Sequence, residues 1–216
     1  MDTYRHKGLR QRLVKALELK GIKDKSVLNA INSIPRHLFL DSAFEEQAYM
    51  DKALPIKSAQ TISQPYTVVF KTELLQLKED DIVLEIGTGS GYQAAILSLI
   101  VKKVYTIERH ERLYQDTTKL LKKLGYLSVR TILGDGSNGL PRYAPFDKIL
   151  VTAGADEVPE ALLAQLKIGG CIVIPTGYTD AKEMLRITKL QDGKFETEAF
   201  GKFSFVPFLK GIKKIN

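Results

Sequence analysis

The sequence first offers chemistry where the apolar run Ile82-Val83-Leu84-Glu85-Ile86 meets Gly87-Thr88-Gly89-Ser90-Gly91-Tyr92. A strand that ends in Gly-x-Gly-x-Gly before a helix brings backbone, not side chains, against a ligand at the carboxyl edge of a sheet. Spacing decides which ligand. A dinucleotide loop needs its third glycine where Tyr92 stands, and a P-loop, Gly-x-x-x-x-Gly-Lys-[Ser/Thr], does not occur. Glu85, two residues before the first glycine, is expected to hold a cationic group through the loop or a bound water, and it repels a pyrophosphate. Glu108 closes the next strand 21 residues past Gly87 (108 − 87), where an acid accepts both hydroxyls of a ribose. Asp135, between Gly134 and Gly136, is set to take an adenine amino group. A tight turn explains a lone glycine loop. It does not explain three acceptors at successive strand ends, each suited to one part of S-adenosyl-L-methionine.

These residues need elements to hold them. The chain has 216 residues, 44% hydrophobic and 26% charged, enough for one globular domain with a sizeable core. Leu9, Leu13, Leu17 and Ile22 predict a first helix. Val27, Leu28, Ile31 and Ile34 predict a second, ended by Pro35. A short helix is expected from Asp41 to Tyr49, and residues 51–66 read as an ordered loop. Beyond Asp81 strands and helices alternate: strand 82–86, helix from Gly91 to about Ile100, strand Val104–Ile107, helix Arg112–Leu124, strand Val129–Leu133. Strand Phe146–Val151, helix Glu160–Gln165 and strand Cys171–Ile174, stopped by Pro175, complete the series. Such repeats imply an α/β fold with a doubly wound, mostly parallel, Rossmann-like sheet. From Lys182 to Phe208 the alternation around Asp192-Gly193 predicts a β-hairpin. The expected organisation is one domain, 1–216: a helical and loop segment (1–66), a ligand-binding core (67–180) and a β-rich tail (181–216).

Further stretches carry a resemblance through the whole length: Ile34-Pro35-Arg36 with Phe39, Ala53-Leu54-Pro55-Ile56, Gln60-Thr61-Ile62-Ser63-Gln64-Pro65-Tyr66, Val83 through Gln93, and Gly134-Asp135-Gly136. Ala144-Pro145-Phe146-Asp147, Val151-Thr152-Ala153, Leu166-Lys167 with Gly169-Gly170, and Phe205-Val206-Pro207 continue it. The chain resembles the protein-L-isoaspartate O-methyltransferases, class I S-adenosylmethionine-dependent enzymes. Many methyltransferases share the glycine motif; Gln-Thr-Ile-Ser-Gln-Pro is far more specific. The resemblance implies methyl esterification of the free α-carboxylate of L-isoaspartyl residues in damaged proteins and peptides, which initiates their repair and releases S-adenosyl-L-homocysteine. It implies Ser63 as the active-site residue, with Gln60, Thr61 and Ile62 in the substrate loop. Glu85, Gly87, Thr88, Gly89, Gly91, Glu108, Asp135 and Gly136 are then the cofactor contacts. The chain departs from the family where Lys57-Ser58-Ala59 replace the usual glycines, and at Ser204, where bacterial members often carry arginine.

A carboxylate with an ordinary pKa near ~4 is already ionised at neutral pH and needs no general base. Ser63 is therefore expected to orient the attacking oxygen, not to form a covalent bond; capping the helix that starts near Pro65 is its other reading. Cys171 reads as a buried, inert thiol, and a lone cysteine excludes an intrachain disulfide and favours a reducing, cytoplasmic setting. His6, His37 and His110 show no ligand-like spacing, so no metal is expected. Asp147 reads as structural, and Asp51 as a partner for loop backbone near the substrate.

The net charge of +7 gathers early, at Arg5, Lys7, Arg10, Arg12, Lys15, Lys20, Lys23 and Lys25. This predicts a solvated helix face over an anionic partner. Two other functions compete. A methyltransferase acting on RNA or a small molecule shares the fold, but base-methylating enzymes carry [Asn/Asp]-Pro-Pro-[Tyr/Phe] where this chain has Val151-Thr152-Ala153-Gly154-Ala155. A basic nucleic-acid-binding module has no use for the acceptors at Glu85, Glu108 and Asp135. A monomer with no membrane segment and no nucleic-acid partner is expected.

Overall fold

A computed structural model describes residues 1–215. Helix α1 (Tyr4–Leu19) starts at Thr3, whose hydroxyl accepts from the His6 N–H while His6 Nδ1 accepts from the Thr3 N–H. Helix α2 (Lys25–Ser33) starts at Asp24, whose carboxylate takes the N–H groups of Ser26 and Val27. It stops at Ile34, held extended by the proline that follows. The expected helix over 41–49 is a 3-10 helix, Ser42–Gln47, capped by Asp41. Inside the expected loop, β1 (Leu54–Pro55) pairs with β2 (Thr61–Ile62). Helix α3 (Pro65–Leu74) follows, with proline in its first turn, where a missing N–H costs nothing.

The large sheet has seven strands: β3 (Ile82–Ile86), β4 (Lys103–Glu108), β5 (Val129–Leu133), β6 (Phe146–Val151), β7 (Leu166–Thr176), β8 (Ala181–Lys189) and β9 (Phe195–Ser204). Their order is β5-β4-β3-β6-β7-β8-β9. The first five run parallel, and β8 and β9 add an antiparallel hairpin at one edge. The doubly wound core and the hairpin around Asp192-Gly193 agree with expectation. Helices α4 (Tyr92–Ser98), α5 (Glu111–Lys123) and α6 (Glu160–Ala164) connect the parallel strands.

In the large sheet β7 departs from expectation, starting at Leu166 instead of Cys171. Pro175 does not stop β7, which runs on to Thr176, with Pro175 paired to Met184 of β8. A residue's N–H and C=O leave a strand on the same side. The Pro175 carbonyl accepts from the Ala155 N–H, beyond the end of β6 at Val151. The missing N–H therefore points where no strand is left to pair with it.

Alternation along β3 sorts its side chains between two layers. Val83 packs with Leu74, Ala94 and Leu97 beneath α3 and α4; Leu84 and Ile86 pack on the other face, with Ile107 and Leu162. The N-terminal helices build their own cluster, in which Leu17, Val27 and Ile31 meet Val69 of α3 and Ile96 of α4. That layer is why the first 66 residues end up beside the strand ends.

Candidate active site

At the carboxyl ends of β3, β4 and β6 a cavity of about 880 Å³, counted to its open mouth, is lined by both predicted motifs. Gly87 turns at φ +97°, and a Cβ there would lie 2.3 Å from Thr152 Oγ1. That hydroxyl lies 2.8 Å from the Ile86 carbonyl and 2.7 Å from the Gly87 carbonyl, so it braces the loop from the end of β6. A Cβ at Gly136 would lie 2.3 Å from Ile86 Cγ2. Gly89 donates its N–H to Glu108 Oε2 at 2.9 Å, and Thr88 meets the Thr106 hydroxyl at 2.7 Å. Gly87, Thr88, Gly89, Glu108 and Gly136 all line the cavity. Gly91 does not: at φ +84° it starts α4, and a Cβ on it would strike Thr117 and Leu121. Its glycine serves packing between α4 and α5.

Two of the three acids do not line the cavity. Glu85 shares the parity of Val83, so its side chain passes under the helical layer and is wholly buried. Thr106 donates to its Oε2, and Oε1 has no partner among the described residues. Burial pushes its carboxyl up to about 8, against the pull of the Thr106 bond and of the Lys71 charge. Asp135 also stays off the cavity wall. Its Oδ1 takes Ser137 N–H and hydroxyl, and its Oδ2 takes the Gly211 N–H. It caps the turn Gly136–Asn138 and ties down the C-terminal tail. Only Glu108 lines the cavity as expected, with Oε1 accepting from the His110 N–H at 2.9 Å.

Gln60, Thr61, Ile62 and Ser63 line the same cavity. Arg36, fully buried, holds this segment by donating to the carbonyls of Ala48, Lys52 and Ser63. Asp51 accepts the Tyr66 N–H at 2.8 Å, and Gln64 reaches back to the Asp51 carbonyl at 3.1 Å. The cap of α3 is thus Asp51, whose carboxylate bonds the first turn of the helix beside the site. No side chain caps α3 from Gln64, and Ser63 bonds the frame through its carbonyl, leaving its hydroxyl without a protein partner among the described residues. Ser58 and Ala59, which stand where glycines are usual, have φ +61° and +55°. Val206–Leu209 of the tail add to the wall, fixed by Gly154, which exchanges bonds with Val206 and Phe208.

With the geometry in hand, three comparisons bear on kinship. The pattern of Protein-L-isoaspartate(D-aspartate) O-methyltransferase matches residues 8–213. The chain is 56% identical to the protein-L-isoaspartate O-methyltransferase of Christiangramia forsetii, over 97% of this chain and 98% of that one. The chain belongs to the protein-L-isoaspartate(D-aspartate) O-methyltransferase family. A solved protein-L-isoaspartate O-methyltransferase superposes with TM-score 0.84 at 29% identity, over 92% of this chain and 65% of that longer one. A Plasmodium falciparum β-aspartate methyltransferase, solved in complex with S-adenosyl-L-homocysteine, shares the fold with TM-score 0.82 at 23% identity, over 94% and 99%. The chain is thus an S-adenosylmethionine-dependent methyltransferase, and its residues fit that ligand. Backbone at Gly87 and Gly136 leaves no room for a Cβ, and Glu85 Oε1 and Gln93 Oε1 beside the loop are buried without partners among the described residues.

Sequence reasoning missed several residues lining the methyltransferase's cavity: Lys71, Thr152, His110 and the tail beyond Pro207. A signal existed for Lys71, three residues after Val68, since that spacing puts its charge on the apolar face of α3. Linear spacing also hid a cluster. Asp2, His6 and His37 each offer a ligand atom within 4.8 Å of the others. Most of their atoms are engaged: Asp2 in two hydrogen bonds from Arg10, His6 with Thr3 and Glu45, and His37 Nδ1 with Tyr49, while His37 Nε2 is buried without a partner among the described residues. Asp147 is structural, accepting from Ile82 and Lys167. Cys171 is buried, and burial raises its thiol.

Proposed function

We propose that the chain methylates the free α-carboxylate of L-isoaspartyl residues in damaged proteins and peptides, with Ser63 as the residue that orients the attacking oxygen. The observation that carries this is that the Gln60–Ser63 segment and the glycine loop line one cavity. S-adenosyl-L-methionine supplies an activated methyl group on a sulfonium; the chain's work is to bind, align and exclude water. We assign Gly87, Thr88, Gly89, Glu108 and Gly136 to the cofactor, and Gln60, Thr61 and Ile62 to the substrate backbone. Glu85 acts from beneath the loop, and Gly91 and Asp135 shape the site without lining it.

The unpartnered Ser63 hydroxyl is a neutral donor. It fixes a carboxylate without the full charge neutralisation that blunts an oxygen's attack. The arriving oxygen is already ionised, so no base is called for, and His110 sits by Glu108, bonded through its backbone.

We read the chain as a single domain and a monomer of the cytoplasm. No described helix is long and apolar enough to cross a membrane. Among the early basic residues, Arg5, Lys20 and Lys25 pair with Glu46, Asp51 and Glu18, which supports a solvated face; Arg10 is the exception, buried against Asp2. The test is a paired assay with labelled S-adenosyl-L-methionine. A peptide containing L-isoaspartate should gain a base-labile methyl ester, and the same peptide containing aspartate should not. Equal labelling of both, or of neither, refutes the assignment.

A further inference from the structure

The cavity floor holds a cation with no acceptor among the described residues. Lys71 projects from α3 and is 1% exposed, yet it lines the cavity. Its ammonium carries three donors, and no described residue accepts from it: burial lowers its pKa, against the charge of Glu85, which raises it. The nearest aromatic group is Phe205, with its ring centre 5.9 Å from Nζ. An ammonium on a buried side chain that finds no protein acceptor is left to take one from whatever fills the space in front of it. Here the open direction is the cavity.

We propose that Lys71 is a carboxylate-binding residue of the active site. This rests on the methyltransferase reading and deepens it, because both ligands of that reaction bring a carboxylate: the amino-acid end of the cofactor and the α-carboxylate of the isoaspartyl residue. An anion fits better than a neutral acceptor. Glu85 lies close enough to feel Lys71, but the two make no ion pair within 4.0 Å, so Glu85 tempers the charge of Lys71 without occupying its donors. Methionine is the informative replacement, since it keeps the length and apolar stem of the side chain and removes only the head.

The experiment is calorimetric titration of S-adenosyl-L-homocysteine and of its decarboxylated analogue into wild type and Lys71→Met, with methylation kinetics on the isoaspartyl peptide alongside. If the cofactor's carboxylate is the ligand, Lys71→Met weakens S-adenosyl-L-homocysteine by about ten- to a hundred-fold and leaves the analogue and the peptide KM unchanged. If the substrate's is the ligand, the peptide KM rises by that factor and nucleoside affinity holds within two-fold. A Lys71→Met protein matching wild type in all three overturns the inference while the functional reading stands. A wild type that binds no S-adenosyl-L-homocysteine and methylates no peptide overturns both. Should the variant not fold, wild type still answers: the Lys71 ¹³Cε resonance must move when one of the two ligands is added, and a resonance that ignores both refutes the proposal.

Discussion

Two walls meet in the cavity, and they are held by different means. The wall we assign to the cofactor continues the strands: Gly87–Gly89 leave β3, Glu108 ends β4, and Thr152 follows β6, all in one hydrogen-bonded register. What it requires at Gly87 and Gly136 is the absence of a side chain. The wall we assign to the substrate is a loop with two-residue strands, and it is held by particular buried side chains reaching in from elsewhere. Arg36 gathers three carbonyls, and Asp51 takes one N–H. Sheet-built walls tolerate changes in the side chains around them and fail at their glycines; loop-built walls fail at their anchors.

The largest effect should come from the loop's anchor. Arg36→Ala leaves three buried carbonyls without a donor and should lower stability by about 3–5 kcal/mol, read from urea unfolding. A loss under about 1 kcal/mol would mean that the loop has other support and that the contrast between the walls is weaker than drawn. Next comes the glycine wall. Gly87→Ala adds a Cβ against Thr152 at a φ that other residues avoid, and it should weaken S-adenosyl-L-homocysteine about a hundred-fold, roughly 2–3 kcal/mol. Adding Thr152→Ala should return part of that loss, because the two changes share one contact. Strict additivity would show that backbone conformation, not the Thr152 hydroxyl, is the constraint. Ser63→Ala then tests the loop's chemistry apart from its anchoring. Methylation should slow by about ten- to a hundred-fold with nucleoside affinity nearly unchanged, and an unslowed variant would remove Ser63 from the reaction.

The same division explains what the sequence revealed. The glycine loop and Glu108 were legible because a strand end and its spacing are local. The burial of Glu85 was legible too, because two residues after Val83 it had to face the helices. Asp135 could not be read, since its deciding partner, the Gly211 N–H, lies 76 residues away. Arg36 was hidden for the same reason, whereas Lys71 left a local signal in its spacing from Val68 that went unused. Nothing near Arg36 in sequence predicts that it binds the Ser63 carbonyl 27 residues on, and burial of Lys71 depends on the sheet beneath α3. The strands of the large sheet were found in order, but the short β1–β2 pair was read as loop and β7 runs past both expected ends, beyond Pro175 because neighbouring β6 ends early enough to excuse a proline.

The smallest expected effect is the one that separates the walls most cleanly. Ala59 holds φ +55° in the substrate loop, a left-handed conformation that costs a non-glycine residue roughly 1–2 kcal/mol. Ala59→Gly removes that cost, while the added freedom of the unfolded chain takes back about 0.4–1 kcal/mol. The net is a gain of about 0.5–1 kcal/mol, seen as a higher urea midpoint at unchanged slope. On the other wall the sign reverses, since Gly87→Ala introduces there the strain that Ala59→Gly relieves here. Nucleoside affinity should not move in Ala59→Gly, because Ala59 does not line the cavity and the glycine loop takes no support from it. A destabilised Ala59→Gly would show that the loop is stiffened by this alanine, and that the left-handed turn is held by more than the Gln60 side chain reaching back to the carbonyls of Ser58 and Ala59.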